Sequence, residues 1–419
     1  MCEPDGSADD PAIVEAWISA IGIEADRVAI VVPHRSGKRC LIVECGSGTV
    51  LHQVEAGPLF SADEQYAACR SGDGFALAVS TTNDDAIAVG FFDDRAAQTV
   101  VIEVSARHGS RVGAMVGGQD GAVWLAWFES LSDDVASPLV GAEVWIGLIC
   151  PRRGEVVAQH VGECSEVWIR DGAIAAAGDH CVLMWASRFD DLKSTVLFGA
   201  VARHGSTAAV METDSFTLAH RAEVEFGGVQ LLPDGAPAWC WIEGDGRLVS
   251  GSEVLLRPGV GAIESPLGRT KGISDATVAR AGDDLLLMAT SLIENDDEFR
   301  DTEVMDEGSM LCRPEFVLRR SGGGWQPTDV PDVPGACRFV ELMGEGPTPV
   351  MLWQAAGGGA VHCSRWLGNA WGRSHRLGSL TDLGTDRHAF HVGRQSVVMV
   401  DRVDVQNPSV RIRAYPIVD

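Results

Sequence analysis

Lysine is almost missing from this chain: Lys38, Lys193 and Lys271 are the only three among 33 basic residues, and 59 acidic residues leave 419 residues with a formal charge of −26. Capture of a polyanion needs a basic stripe that releases counterions, so the composition excludes a nucleic-acid partner. No apolar run reaches the roughly 18 residues of a membrane-spanning helix, which argues against a membrane partner. The first twenty residues lack a basic stretch followed by an apolar core and a small-residue cleavage site. Eleven cysteines, an odd number, lie scattered without a CxxC pair, several inside apolar runs around Cys40, Cys150 and Cys240. That usage predicts reduced, buried thiols and a cytoplasmic protein.

Chemical signatures are equally scarce. The chain has no GxxxxGK[ST] phosphate loop, no GxSxG nucleophile turn, no HExxH and no GxGxxG between a strand and a helix. Phosphoryl transfer on a P-loop, α/β-hydrolase chemistry and dinucleotide oxidoreduction are therefore not expected. Helix signals are confined to Asp10 through Ile18, where an Asp cap and Pro11 precede Ile13, Val14, Trp17 and Ile18; its β-branched content fits a strand equally well.

What the sequence does have is a repeat. Apolar runs begin at Val28, Phe75, Val123, Cys181, Pro237, Leu285, Pro349 and Ser396, between 47 and 64 residues apart. A turn precedes each: Asp26-Arg27, Asp73-Gly74, Asp120-Gly121, Gly178-Asp179, Asp234-Gly235, Asp283-Asp284, Glu345-Gly346 and Gly393-Arg394. Around each anchor run lie three further strand-like runs, and four antiparallel strands per unit of this length is a propeller blade. One blade cannot cover both of its apolar faces, so the blades must stack into a ring. The expected fold is all-β, a single β-propeller of four-stranded blades over residues 26–419, after an N-terminal segment 1–25 that supplies a short helix or a closing strand. Eight anchors favour eight blades; seven is the alternative if the N-terminal piece completes the last one.

The runs GAVWLAW and AEVWIGLI, with RRSGGGWQP and RWLGNAWGRSHRLG on outer strands, resemble the sialidase-type (BNR-like) β-propeller superfamily over nearly the whole length. The resemblance implies the repeat architecture. It does not extend to catalysis: the Asp-box S-x-D-x-G-x-x-W and an Arg-Ile-Pro start are absent, and only Tyr66 and Tyr415 could supply the tyrosine nucleophile of sialidases. No catalytic residue is carried over.

Candidate sites follow from the repeat. The innermost strands line the central channel and carry Arg70, Arg170, Arg280, Arg338 and Arg387, which would form an anion site if they converged, joined by Tyr66, Glu166, Glu341, His388 and His391. Two carboxylates and a histidine there would suffice for acid–base work. Trp127, Trp185, Trp241 and Trp353 occupy the fifth anchor position, as core filling or as a sugar-stacking ring. Residues 294–307 hold eight carboxylates and one Arg; Asp296, Asp297, Glu298 and Asp301 are candidate Ca²⁺ ligands, or the segment is a solvated loop. Acidic residues also punctuate the equivalent places at 83–85, 133–134, 190–191, 243–245 and 404, which would gather as an acidic rim. No other cofactor is expected. Three functions fit: a non-catalytic platform for a protein partner or ligand, an enzyme such as a carbohydrate hydrolase or lyase acting on an anionic small molecule, and a lectin-like module.

Overall fold

The structure is a computed structural model and describes residues 19–417 apart from 25, 35–36, 56–65, 81–85, 108–109, 132–140, 165–166, 169–172, 190–193, 205–210, 222, 233, 245–251, 259–261, 271–272, 294–310, 322–323, 329–332, 335, 344–347, 356–359, 380–387, 393–395 and 403–409. The Asp10–Ile18 segment thus lies outside the described residues.

Every anchor run becomes the second strand of an antiparallel meander: Arg27–His34, Gly74–Ser80, Val123–Ser130, His180–Phe189, Pro237–Gly244, Asp284–Ile293, Val350–Ala355 and Ser396–Arg402. Short turns bearing Asp73, Asp120, Asp179, Asp234 and Asp283, each with a neighbouring Gly, join five of them to the strand before, the connection that antiparallel neighbours allow. Among the described residues, seven blades have four strands, at 19–55, 66–105, 111–164, 167–221, 223–270, 273–327 and 337–379. Seven complete blades is the alternative count; the eighth anchor forms a three-stranded sheet at 388–416. The first strand of the first blade is Ser19–Glu24, so the N-terminal segment gives its last residues to that blade. In the fourth blade the first row is divided into Val167–Trp168 and Ile174–Ala177.

Alternate residues of a second strand point to opposite faces, and both faces are covered. Trp124, Ala126 and Phe128 pack with the fourth blade, whereas Val123, Leu125 and Trp127 pack with the second. This double burial explains why the anchors read as unbroken apolar runs rather than as an alternating pattern. Hydrophobic clusters of this kind fill the junction between each pair of neighbours. The three-stranded sheet takes part on both sides: Val397 and Met399 meet Phe339 and Leu352 of the seventh blade, and Val398 and Val400 meet Val28 and Ile30 of the first. The ring is closed, and the fold is an all-β propeller. No helix of the described residues is long and apolar enough to cross a membrane.

Close approach of neighbouring blades depends on glycines opposite the large rings. A Cβ built on Gly162, at the outer edge of the third blade, would lie 2.9 Å from Cζ2 of Trp185 in the fourth. One on Gly199 of the fourth blade would lie 3.1 Å from Cη2 of Trp239 in the fifth. Gly324, by contrast, faces open space with an ordinary backbone. Gly162→Ala should therefore lower the stability by about 1–3 kcal/mol through overpacking, whereas Gly324→Ala stays within about 0.5 kcal/mol, as read from urea unfolding midpoints.

Candidate functional site

The first strands of the sheets touch one another around the ring and so line its axis. Arg70 and Arg280 occupy the same place in their blades, one residue before the strand end, in the sequences Arg-Ser-Gly-Asp and Arg-Ala-Gly-Asp. Each folds back on its own turn: Nε of Arg70 donates to the Gly72 carbonyl at 3.1 Å, and Nε of Arg280 donates to the Gly282 carbonyl at 3.0 Å. Tyr66 and Arg338 lie at the opposite ends of their strands. The Tyr66 hydroxyl accepts from Oγ of Ser19 at 3.1 Å, and Arg338 is half-buried. Of the three arginines that are described, Arg70 and Arg280 thus stand at one mouth of the channel and Arg338 toward the other, because strand register sets the height of each residue. Arg170, Arg387 and Glu166 lie outside the described residues, as do Asp296, Asp297, Glu298 and Asp301. The strand of His388 is described but its side chain is not.

Glu341 and His391 do come onto neighbouring first strands, Cys337–Met343 and His388–Val392. Burial pushes the Glu341 carboxyl up to about 7, and the negative charge of Asp275 on the sixth blade adds to the rise. Burial brings His391 down to about 4. Its imidazole sits against Gly22 of the first blade, where a methyl group would collide with the ring. Burial thus displaces the two groups in opposite senses, one toward neutral carboxylic acid and one toward neutral imidazole, with Glu341 facing the sixth blade's Asp275 and His391 facing Gly22 of the first.

The anchor tryptophans are core. Trp127, Trp185, Trp241 and Trp353 are 0–1% exposed, so none presents a face to a sugar. Nε1 of Trp127 donates to Glu129 and that of Trp241 donates to Glu243, both at 3.1 Å, so two of the indoles have carboxylate partners two residues along the strand. The nine cysteines with described side chains are thiols, eight of them buried. Burial raises Cys40, Cys240 and Cys337 to about 12, which leaves them protonated and unsuited to nucleophilic chemistry.

A concavity of about 440 Å³ opens where the third and fourth blades meet, on the face formed by the turns between first and second strands. Its walls include Asp120, Arg152, Arg153, Asp179 and His204. Asp120 stands at φ 55°, a left-handed backbone that Asp tolerates better than most residues. His204 is buried, its backbone N–H donates to the Asp179 carbonyl at 3.0 Å, and its Nε2 has no hydrogen-bond partner among the described residues. Nothing in the local sequence Arg152-Arg153-Gly154 distinguishes these arginines from other turn residues.

No protein-family model matches the chain, and no curated protein matches it in sequence. Among solved structures it is similar to a puromycin hydrolase mutant complexed with PGG, with a TM-score of 0.50 and 14% identity over 96% of this chain and 61% of that one. This chain therefore spans less than two thirds of that protein's length. It is also similar to the Dos1 propeller, with a TM-score of 0.47 and 11% identity over 92% of this chain and 90% of that one. For the polysaccharide lyase Uly1 the TM-score is 0.47 and the identity 10%, over 87% and 89% of the two chains. At such identities the likeness to the puromycin hydrolase shows the fold alone.

The shifted pair makes stability depend on pH in two opposed windows. His391 stays neutral in the folded protein down to about 4, whereas the unfolded chain protonates it near 6.5, so stability falls as the pH drops from 6.5 toward 4. Glu341 holds its proton up to about 7 against 4.5 ordinarily, so its contribution is complete below 4.5 and is lost as the pH rises through 7. Urea midpoints measured across that range should show the acid-side loss flattened in His391→Asn and the neutral-side loss flattened in Glu341→Gln.

Proposed function

We propose that this protein is a non-catalytic propeller platform that presents an acidic face to a cationic protein partner. One observation supports the reading: the acidic segments 83–85, 133–134, 190–191, 294–307 and 404, with Asp245, fall in the sequence between the second strand of a sheet and the third. The second strands run in the same sense around the ring, so these connections leave from one end of it. Turns bearing Asp73, Asp120, Asp234 and Asp283 join first to second strands and leave from the other. Carboxylates gathered from several blades raise a negative potential that steers a basic surface, an effect that salt screens. The sialidase-like repeat style supports the architecture of such a platform and lends it no chemistry. A cytoplasmic setting belongs to the same reading, supported by the buried thiols.

A second reading, binding or acid–base chemistry on a small anion at the channel, is favoured only by the burial-shifted Glu341 and His391 on neighbouring first strands. The lectin reading loses its support, since the anchor tryptophans are buried.

Binding of a fluorescent oligoarginine peptide at low salt tests the platform. Changing Asp296, Asp297, Glu298 and Asp301 together to their amides should weaken binding roughly tenfold. Changing Asp73, Asp120, Asp234 and Asp283 together to Asn, an equal change of charge on the opposite face, should have a much smaller effect. Equal losses from the two sets would show that the peptide responds to net charge alone and would count against an acidic docking face.

A further inference from the structure

At the junction of the second and third blades, the outer half of the third blade gathers chemistry that neither the channel nor the acidic connections use. Trp127, Glu129, Glu143 and Trp145 share one face of the sheet, because Trp127 pairs in register with Trp145 and Glu129 with Glu143. The fourth strand, Glu155–Cys164, carries a bulge opposite Val144 and Trp145: His160 pairs with Trp145, Gly162 with Val144 and Glu163 with Glu143, leaving Val161 as the extra residue. Without the bulge, residues three apart would point to opposite faces; with it, His160 and Glu163 join Glu143 on the same one. One carboxylate oxygen from each of Glu143 and Glu163 and one ring nitrogen of His160 lie within 4.8 Å of one another.

We propose that Glu143, His160 and Glu163 form a binding site for a divalent cation of the Zn²⁺ type. Four features support it. The donor set, two carboxylates and an imidazole, is that of borderline transition ions; a nitrogen ligand disfavours Ca²⁺ and Mg²⁺. Glu143 is held in place, with Nε1 of Trp145 donating to Oε2 at 3.3 Å, the kind of outer contact that orients a metal ligand. His160 packs edge-on against the Trp145 ring with centroids 5.6 Å apart, and its Nε2 is buried without a hydrogen-bond partner among the described residues. An orphaned buried nitrogen is unfavourable unless something accepts its hydrogen or takes its lone pair.

Charge balance agrees. Glu129, Glu143 and Glu163 bring three negative charges, and Arg107 brings one positive, with Nη1 at 3.4 Å from Glu143 and Nε at 3.7 Å from Glu129. The formal remainder of two negative charges is what one divalent cation neutralises. Arg107 is 57% exposed and can swing aside toward Glu129, whose other oxygen already accepts from Trp127. With three protein ligands and Glu163 facing solvent, a fourth position would be left for water.

The purified full-length protein can be titrated with Zn²⁺ by calorimetry and with Co²⁺ by visible absorption. The proposal predicts one equivalent bound with a nitrogen and oxygen type of Co²⁺ spectrum. His160→Ala and Glu163→Gln should each weaken binding by about tenfold or more, with Trp145→Phe weakening it less. Glu163 is exposed, so Glu163→Gln decides the matter if His160→Ala fails to fold, with circular dichroism as the check. Absence of binding up to about millimolar Zn²⁺, affinity unchanged in Glu163→Gln, or Co²⁺ bands typical of thiolate ligation would each overturn it.

Discussion

Everything in this structure depends on the fact that each second strand is apolar on both faces and needs a neighbour on each side. A single indole buries roughly 150–250 Å², worth about 4–6 kcal/mol at about 25 cal/mol per Å², and it is recovered only when the next blade is present. Open stacks leave two such faces to water, whereas a ring leaves none. The sheet at 388–416 shows how strict the demand is: among the described residues it has three strands, and Val397 to Val400 alternate between the seventh and first blades and close the circle. Close packing comes with conditions of its own. Trp185 and Trp239 need glycine opposite them, and their indole nitrogens are buried without a described partner, a penalty the packing must exceed.

The same constraint decides where chemistry can reside. The middles of the second strands are committed to the inter-blade core, so charged groups such as Glu129, Glu143 and Glu243 sit toward strand ends, and the rest fall on the first strands, the outer edges and the two ends of the ring. On the first strands, Glu341 and His391 have had their charge suppressed by burial. At the ends charged groups are many. The turns bearing Asp73, Asp120, Asp234 and Asp283 all join first to second strands, so antiparallel connectivity returns them to one side.

Much of this was legible in the sequence, and the limits have physical causes. Unbroken runs such as Val123 to Trp127 announce strands buried on two faces, and the Asp and Gly turns before them fix the strand order, so the second strand of every sheet could be placed by residue number. The blade count was harder because Val167–Trp168 and Ile174–Ala177 share one row and the last sheet is short, neither of which alters the local pattern. Candidate sites were less readable still. Assigning Arg70, Arg280 and Arg338 to first strands was straightforward, but their height along the channel depends on register, which composition does not encode. The bulge that brings His160 and Glu163 to one face is likewise invisible in Gln159-His160-Val161-Gly162-Glu163, since it is set by pairing with Val144 and Trp145.

Closure of the ring by the sheet at 388–416 is the central claim, and amide hydrogen exchange of the native protein addresses it most directly. If the ring is closed as described, the second strands Ser396–Arg402 and Arg27–His34 exchange as slowly as Val123–Ser130 in the middle of the chain, because all three are opened by the same global event. If Ser396–Arg402 and Arg27–His34 exchange rapidly while Val123–Ser130 remains protected, the first and last sheets do not cover one another, and the ring is open.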